Sequence, residues 1–212
     1  MKLNLPLIAY KIRSALLNRF RYGVIESEEA LSEFLASRSA YVAQTSLFGY
    51  LKTRMGTQFP RYFEDELFSP LIHDSAVKLF VSCLSDLTVY GVALVVRDTD
   101  ISVQHAERLA TRLYEAALQK GVEKTDRSML PGDAAPAFRE RARTTVWESA
   151  CQGEFAFSKS PGDLVRYAPV TDEFKELDRE IVRNSIRFRW RDVRDQLKKR
   201  LHAEAFGDVR GD

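Results

Sequence analysis

Residues 71–96, LIHDSAVKLFVSCLSDLTVYGVALVV, are the most apolar run in the chain, and any fold must first find cover for them. Ser69 is expected to cap a helix here, with Pro70 at its first position, where the missing N–H is no loss. The first half of this helix, over 71–97, is amphipathic: Asp74, Ser75, Lys78, Ser82, Ser85 and Asp86 share one side, and Val77, Phe80, Val81, Leu84 and Leu87 lie elsewhere. From Leu87 onward it is apolar almost all round, the pattern of a helix buried on every side. The run is also close to the roughly 20 residues that a membrane span needs. Lys78 and Asp86 count against that use, since each ion costs about 3 kcal/mol in hydrocarbon. A core helix is the expected outcome, and Asp86 then needs a partner, because an unpaired buried carboxylate neutralises or destabilises the fold. Arg54, near the end of the preceding predicted helix, is the expected partner.

The remaining segments read as helices able to pack around this one. Leu5, Ile8, Ile12, Leu16 and Phe20 recur at steps of three and four, predicting a basic helix in residues 1–22. Ser27 opens a helix that runs to Met55, with Gly56 as its stop. Its predicted inward stripe is Leu31, Phe34, Tyr41, Thr45, Phe48 and Met55, and Gly49 within it points to a close helix crossing. An aromatic connector, TQFPRYFEDELF, leads into the central helix. Further helices are expected over 101–120, with Val103, Leu109 and Leu113 inward, and over 133–151, with Phe138, Ala142, Thr145 and Val146 inward. Over 154–168, alternating Phe155, Phe157, Val165 and Tyr167 flank Ser160-Pro161-Gly162-Asp163, a type II turn signature, so a short β-hairpin or a structured loop is expected. A long basic helix over 171–205 closes the chain, with Phe174, Leu177, Ile181, Ile186, Trp190, Val193, Leu197 and Leu201 as its apolar line, and residues 206–212 read as a frayed tail. The expected architecture is a mainly α, single-domain bundle of about six helices over residues 1–205, in keeping with 212 residues that are 45% hydrophobic and 29% charged.

Charge is distributed unevenly. Residues 1–25 hold five basic side chains and no acid, and residues 183–200 hold eight against Asp192 and Asp195, in a chain whose formal net charge is only +2. Arg183, Arg187, Arg191, Arg194 and Lys198 fall on one line of the last helix, with Trp190 and Phe188 nearby for stacking. Like charges at this spacing repel by a few tenths of a kcal/mol per pair. Carboxylates or phosphates opposite them would offset that repulsion through bidentate guanidinium contacts. The expected function is therefore a non-catalytic interaction or scaffolding role, with an acidic protein partner or an anionic surface held by Arg183, Arg187, Trp190, Arg191, Arg194 and Lys198. A nucleic acid is a second kind of partner for this face, although no recognised nucleic-acid motif is present. The N-terminal helix could make peripheral membrane contact.

Catalytic signatures are lacking. There is no G-x-S-x-G elbow, no phosphate-binding glycine loop and no H-E-x-x-H. Ser69, His73 and Asp74 are close in sequence, but adjacent helical residues point about 100° apart, so Asp74 is badly placed to hold His73 for a serine. Cys83, Cys151, His73, His105 and His202 show no metal spacing, and no cofactor is expected. Two thiols in predicted helices suit a reducing compartment, and the N-terminus has no signal-peptide pattern, so a cytoplasmic location is expected.

At YVAQTSLFGYLKTRMGT (41–57) and CLSDLTVYGVALV (83–95) the chain resembles a family of bacterial helical proteins without an assigned activity, some of which carry an esterase label. The resemblance covers roughly residues 25–100. It implies no defined fold or chemistry, but it directs attention to Tyr50, Arg54, Asp86 and Tyr90, the polar and aromatic residues of those two segments. A polar core site at these residues, serving a small-molecule hydrolase, is the alternative to the interaction reading.

Overall fold

A computed structural model describes residues 23–121, 128, 130–152 and 154–207. The predicted N-terminal helix lies outside the described residues, as do residues 208–212. The helices are α1 (Glu28–Met55), α2 (Phe59–Tyr62), α3 (Phe68–Asp98), α4 (Val103–Gly121), α5 (Ala134–Thr144), α6 (Trp147–Ala150), α7 (Ser160–Tyr167) and α8 (Asp172–Arg200). No strand forms among the described residues; there is one isolated parallel bridge, between Ile25 and Leu201.

The central helix is α3. From Ser82 to Val95 every residue is buried. It is long and apolar enough to cross a membrane, yet 89% of its most apolar window is covered by the rest of the protein, which is how a core helix behaves. Its start differs from expectation. The Asp65 side chain accepts the N–H groups of Leu67 and Phe68, both at 2.9 Å, so the helix begins ahead of Ser69 and Pro70 falls within its first turn. There the missing proline N–H still leaves no bond unmade.

Packed against α3 are α1 and α4. Ser27 caps α1 by accepting the Ala30 N–H at 3.2 Å, with Glu28 and Glu29 in the first turn near the positive end of the helix dipole. At the other end Gly56 adopts φ 53°, a left-handed conformation that disfavours a side chain. At Gly49 an added Cβ would meet the Arg189 guanidinium of α8 at 3.4 Å, so the small residue there admits an arginine head rather than a helix backbone. In α4, Leu109, Ala110, Leu113 and Ala117 are buried, whereas Val103, expected inward, is half-exposed.

Three expectations are corrected. The helix expected over 133–151 is broken. Thr145 and Val146 are extended between α5 and α6, leaving Val146 exposed and Trp147 buried. The β-branched pair favours extended backbone, and the break turns Trp147 into the core. The hairpin expected over 154–168 is absent. A 3₁₀ turn, Phe155–Phe157, precedes α7, and Pro161 occupies the first turn of that helix. Pro161 and Gly162 carry a turn signature, but the same residues fit a helix start when a carboxylate caps it, and Asp86 does so from α3. Third, α8 ends at Arg200 rather than near 205, because Leu201 is extended to bridge Ile25. The Ile25 N–H meets the Arg200 carbonyl at 2.8 Å and the His202 N–H meets the Ile25 carbonyl at 3.0 Å. A 3₁₀ turn, Ala203–Phe206, follows and buries Phe206, which had been read as part of the frayed tail.

Candidate functional site

The cationic line of α8 is the first candidate. The helix buries Asp178, Val182, Ile186, Trp190, Val193 and Leu197 against the other helices. At 3.6 residues per turn, Arg183, Arg187, Arg191, Arg194 and Lys198 lie about 100° around the helix from this buried line, on its flank. Their surroundings differ. Arg183 meets Glu180 at 3.1 Å, and Arg187 meets Glu154 at 3.4 Å. The Arg194 guanidinium lies over the rings of Tyr90 and Phe157, at 5.4 and 5.9 Å. Arg191 and Lys198 are exposed and have no ion pair among the described residues; the Arg191 head lies 5.6 Å from the centre of the exposed Phe188 ring.

Trp190 does not belong to that surface. It is buried, its indole N–H donates to the Ser160 hydroxyl at 3.0 Å, and its ring packs on Phe157 at 4.8 Å. It holds α7 to α8 and offers no face to a partner. Of its two expected places, the apolar line with Ile186 and Val193 and the cationic face, it takes only the first.

An open groove of about 460 Å³ runs between α7 and α8 beside the upstream end of the cationic line, with Arg166, Lys175, Arg179 and Arg183 in its lining together with Asp172 and Glu176. Lys175 meets Asp172 at 3.4 Å, and Arg179 pairs with Glu176. Exposed pairs of this kind contribute only about 0–1 kcal/mol, so they leave the cations free to exchange partners.

The polar core site expected at Tyr50, Arg54, Asp86 and Tyr90 resolves into separate arrangements. Arg54 does not pair with Asp86; its guanidinium forks onto Asp178 of α8 and lies 4.4 Å over the Phe174 ring. The Tyr50 hydroxyl donates to the Phe174 carbonyl at 3.3 Å. The hydrogen bond from Arg54 holds the Asp178 carboxyl below its ordinary range. Burial, with the Asp178 carboxylate beside it, pushes the Tyr50 phenol up to about 12. Together these residues tie the end of α1 to the start of α8.

Asp86 is fully buried and accepts three hydrogen bonds from distant segments, one of them from a charged donor. Arg141 of α5 donates to it at 2.8 Å, the Ser160 N–H at 2.8 Å and the Lys159 N–H at 3.2 Å. The same guanidinium reaches the Ser85 hydroxyl and the Ala156 carbonyl, each at 2.7 Å. Asp86 is thus an N-cap supplied to α7 from another helix. Burial raises its carboxyl above the ordinary range, and Arg141 and Ser160 pull it back. Burial likewise pushes up the neighbouring Cys83 thiol. One turn away, the Ser82 hydroxyl donates to Asp163 of α7 at 2.6 Å. Tyr90 is buried between Phe157, at 5.2 Å, and the Arg194 head. Arg141, Asp178 and Ser160 were not singled out from sequence. Arg141 lies 55 residues from Asp86, Ser160 lies 74 from Asp86 and Asp178 lies 124 from Arg54, and no local pattern marks them.

Both cysteines are free. Among the described residues no group of three or more His, Cys, Asp or Glu side chains is placed to hold a metal ion. No family model matches the chain, and no curated protein or solved structure matches it.

Proposed function

We propose that this is a non-catalytic interaction protein that holds an acidic partner or an anionic surface on the cationic flank of α8. The observation that carries the reading is the exposure of Arg191 and Lys198 on one flank without a carboxylate from the described residues. The exchangeable cations of the α7–α8 groove extend that flank upstream. Guanidinium groups favour planar carboxylate or phosphate partners, and the weak helix-local pairs are displaced at little cost. The hydrolase alternative has less support, because its two central residues have other partners: Arg54 is held by Asp178, and Asp86 caps α7 beside Arg141. Base stacking, which would favour a nucleic acid, loses Trp190 to the core.

The test is titration of the full chain, and of an Arg191→Glu/Lys198→Glu variant, against a poly-glutamate peptide, phosphatidylserine vesicles and a mixed-sequence DNA duplex in a salt series. Binding to the peptide or the vesicles that the variant loses supports the reading. Binding confined to DNA, falling steeply with salt, turns it towards phosphate-backbone recognition. Absence of binding to all three probes, or equal binding by the variant, overturns it.

A further inference from the structure

The outer face of α8 carries a feature that the cationic flank does not explain. Phe174, Leu177, Ile181 and Phe188 were expected inward or as neighbours of the arginines, yet they are 41%, 75%, 71% and 67% exposed. At 100° per residue they fall within an arc of about 60°, centred about 140° around the helix from the buried line. Their spacing, with Asn184 at the intervening position, is that of alternating a and d positions in a heptad. Four large apolar side chains in one stripe on a helix already packed on its other side mark a helix-docking surface.

The charge along α8 says what fits there. Residues 172–180 hold five acids against two bases, and residues 183–200 hold eight bases against two acids. A second α8 laid antiparallel sets the acidic half of each copy against the basic half of the other. Setting Leu177 against Phe188 of the other copy and Ile181 against Asn184 brings Glu180 opposite Arg187, a pair that occurs twice by symmetry. A parallel pair would stack basic half on basic half. The chain's own residues 1–22 fit poorly by the same criterion. They hold five cations and no acid, so they offer nothing to the basic half of α8.

We infer that the outer face of α8, through Phe174, Leu177, Ile181 and Phe188, is a self-association surface that takes the α8 of a second copy of this chain in antiparallel orientation. The contact runs along about 15 residues, or roughly 20 Å of helix, which places it at the small end of protein interfaces. The dimer is therefore concentration-dependent, with a dissociation constant in the micromolar range. The inference shares Arg187 with the proposed binding flank but rests on the apolar stripe, so a protein that dimerises but binds none of the anionic probes leaves it intact.

Sedimentation velocity on the full chain over a micromolar concentration series, with circular dichroism to verify helicity, tests it. The wild type shifts from monomer to dimer. Leu177→Glu/Ile181→Glu removes two exposed side chains and weakens the dimer about 100-fold or more. Glu180→Arg alone and Arg187→Glu alone each weaken it about tenfold, and the two together restore it, since the pair is exchanged rather than lost. A wild type that is monomeric at every concentration overturns the inference. So does a dimer unaffected by the stripe variant at unchanged helicity. Should the stripe variant lose helicity, the charge exchange decides: failure of the double variant to recover the dimer overturns the inference.

Discussion

Asp86 and Asp178 are both carboxylates on long helices, and each holds an arginine from another helix, yet their surroundings push them in opposite directions. Asp86 is 0% exposed in the middle of α3, and desolvation raises its carboxyl despite Arg141. Asp178 is 8% exposed near the start of α8, and the Arg54 hydrogen bond lowers its carboxyl despite some burial. The same pair of groups is an interior joint in one place and an edge latch in the other. Depth decides which it is. At the centre the loss of water outweighs the attraction between the charges; near the surface, water still solvates both ions and the attraction prevails.

The largest expected effect comes from breaking the interior joint. Arg141→Ala leaves Asp86 buried with backbone N–H groups but no opposing charge, and it also strips partners from Ser85 and the Ala156 carbonyl. A loss of about 3–5 kcal/mol in urea unfolding is expected, the range for removing one member of a buried ion pair. Arg54→Ala breaks the edge latch and is expected to lower stability by about 1–2 kcal/mol, between the exposed and buried cases, since water can reach Asp178 once the guanidinium is gone. If Arg54→Ala proved the more damaging of the two, depth would not be what separates them.

Acid sharpens the comparison because the two carboxylates carry opposite signs. Asp178 has a lowered folded-state pKa. Its contribution is present above the ordinary carboxyl range near pH 4 and is lost as pH falls through the lowered value. Asp86 has a raised one. Its contribution is greatest below the unfolded-state value and is lost as pH rises through the raised value. Melting temperature followed from about pH 7 down to pH 3 should thus fall less steeply in Asp178→Asn than in wild type, and more steeply in Asp86→Asn. The slope is the readout, because both substitutions also lower the plateau. A change of slope in the same direction for both variants would remove the distinction.

How much of this was legible in the sequence follows from how local each cause is. The extent of α1 was readable because Ser27, Glu28 and Gly56 act within a turn of the ends they set. The burial of α3 was readable because the run from Leu87 to Val96 is apolar on every side, which leaves no rotation to choose. α8 offered a choice. With Phe174, Leu177 and Ile181 on one line and Val182, Ile186 and Trp190 on another, periodicity alone could not tell which line faces inward, and the line continuous with Val193 and Leu197 is the one buried. The start of α7 was misread because its cap comes from Asp86, more than 70 residues earlier. The partner of Arg54 was misassigned for the same reason: Asp178 is 124 residues away, and a neutralising charge has no sequence period.

A smaller effect is expected at the joint between α3 and α7. Ser82→Ala removes a donor from Asp163, a half-buried carboxylate that water can still reach. About 1 kcal/mol of stability should be lost in the same urea measurement, the usual net worth of one hydrogen bond. The interior position of Asp86 makes its bonds worth more than this, so a Ser82→Ala effect equal to that of Arg141→Ala would mean that the α3–α7 contact, rather than the depth of the charge, sets the scale.

Arg191 completes the series as an arginine with no carboxylate among the described residues. Arg141 is enclosed, Arg54 sits at an edge, and Arg191 projects from the flank of α8 over the ring of Phe188. No buried group depends on it, so Arg191→Glu should move stability by no more than about 0.5 kcal/mol in either direction. Its charged neighbours one turn away largely cancel, since the substitution relieves repulsion with Arg187 and Arg194 but sets an acid beside Asp195, so neither sign is favoured. A loss of more than about 1 kcal/mol would mean that Arg191 is held within the fold after all, and the cationic flank would then be a structural element rather than a surface for a partner.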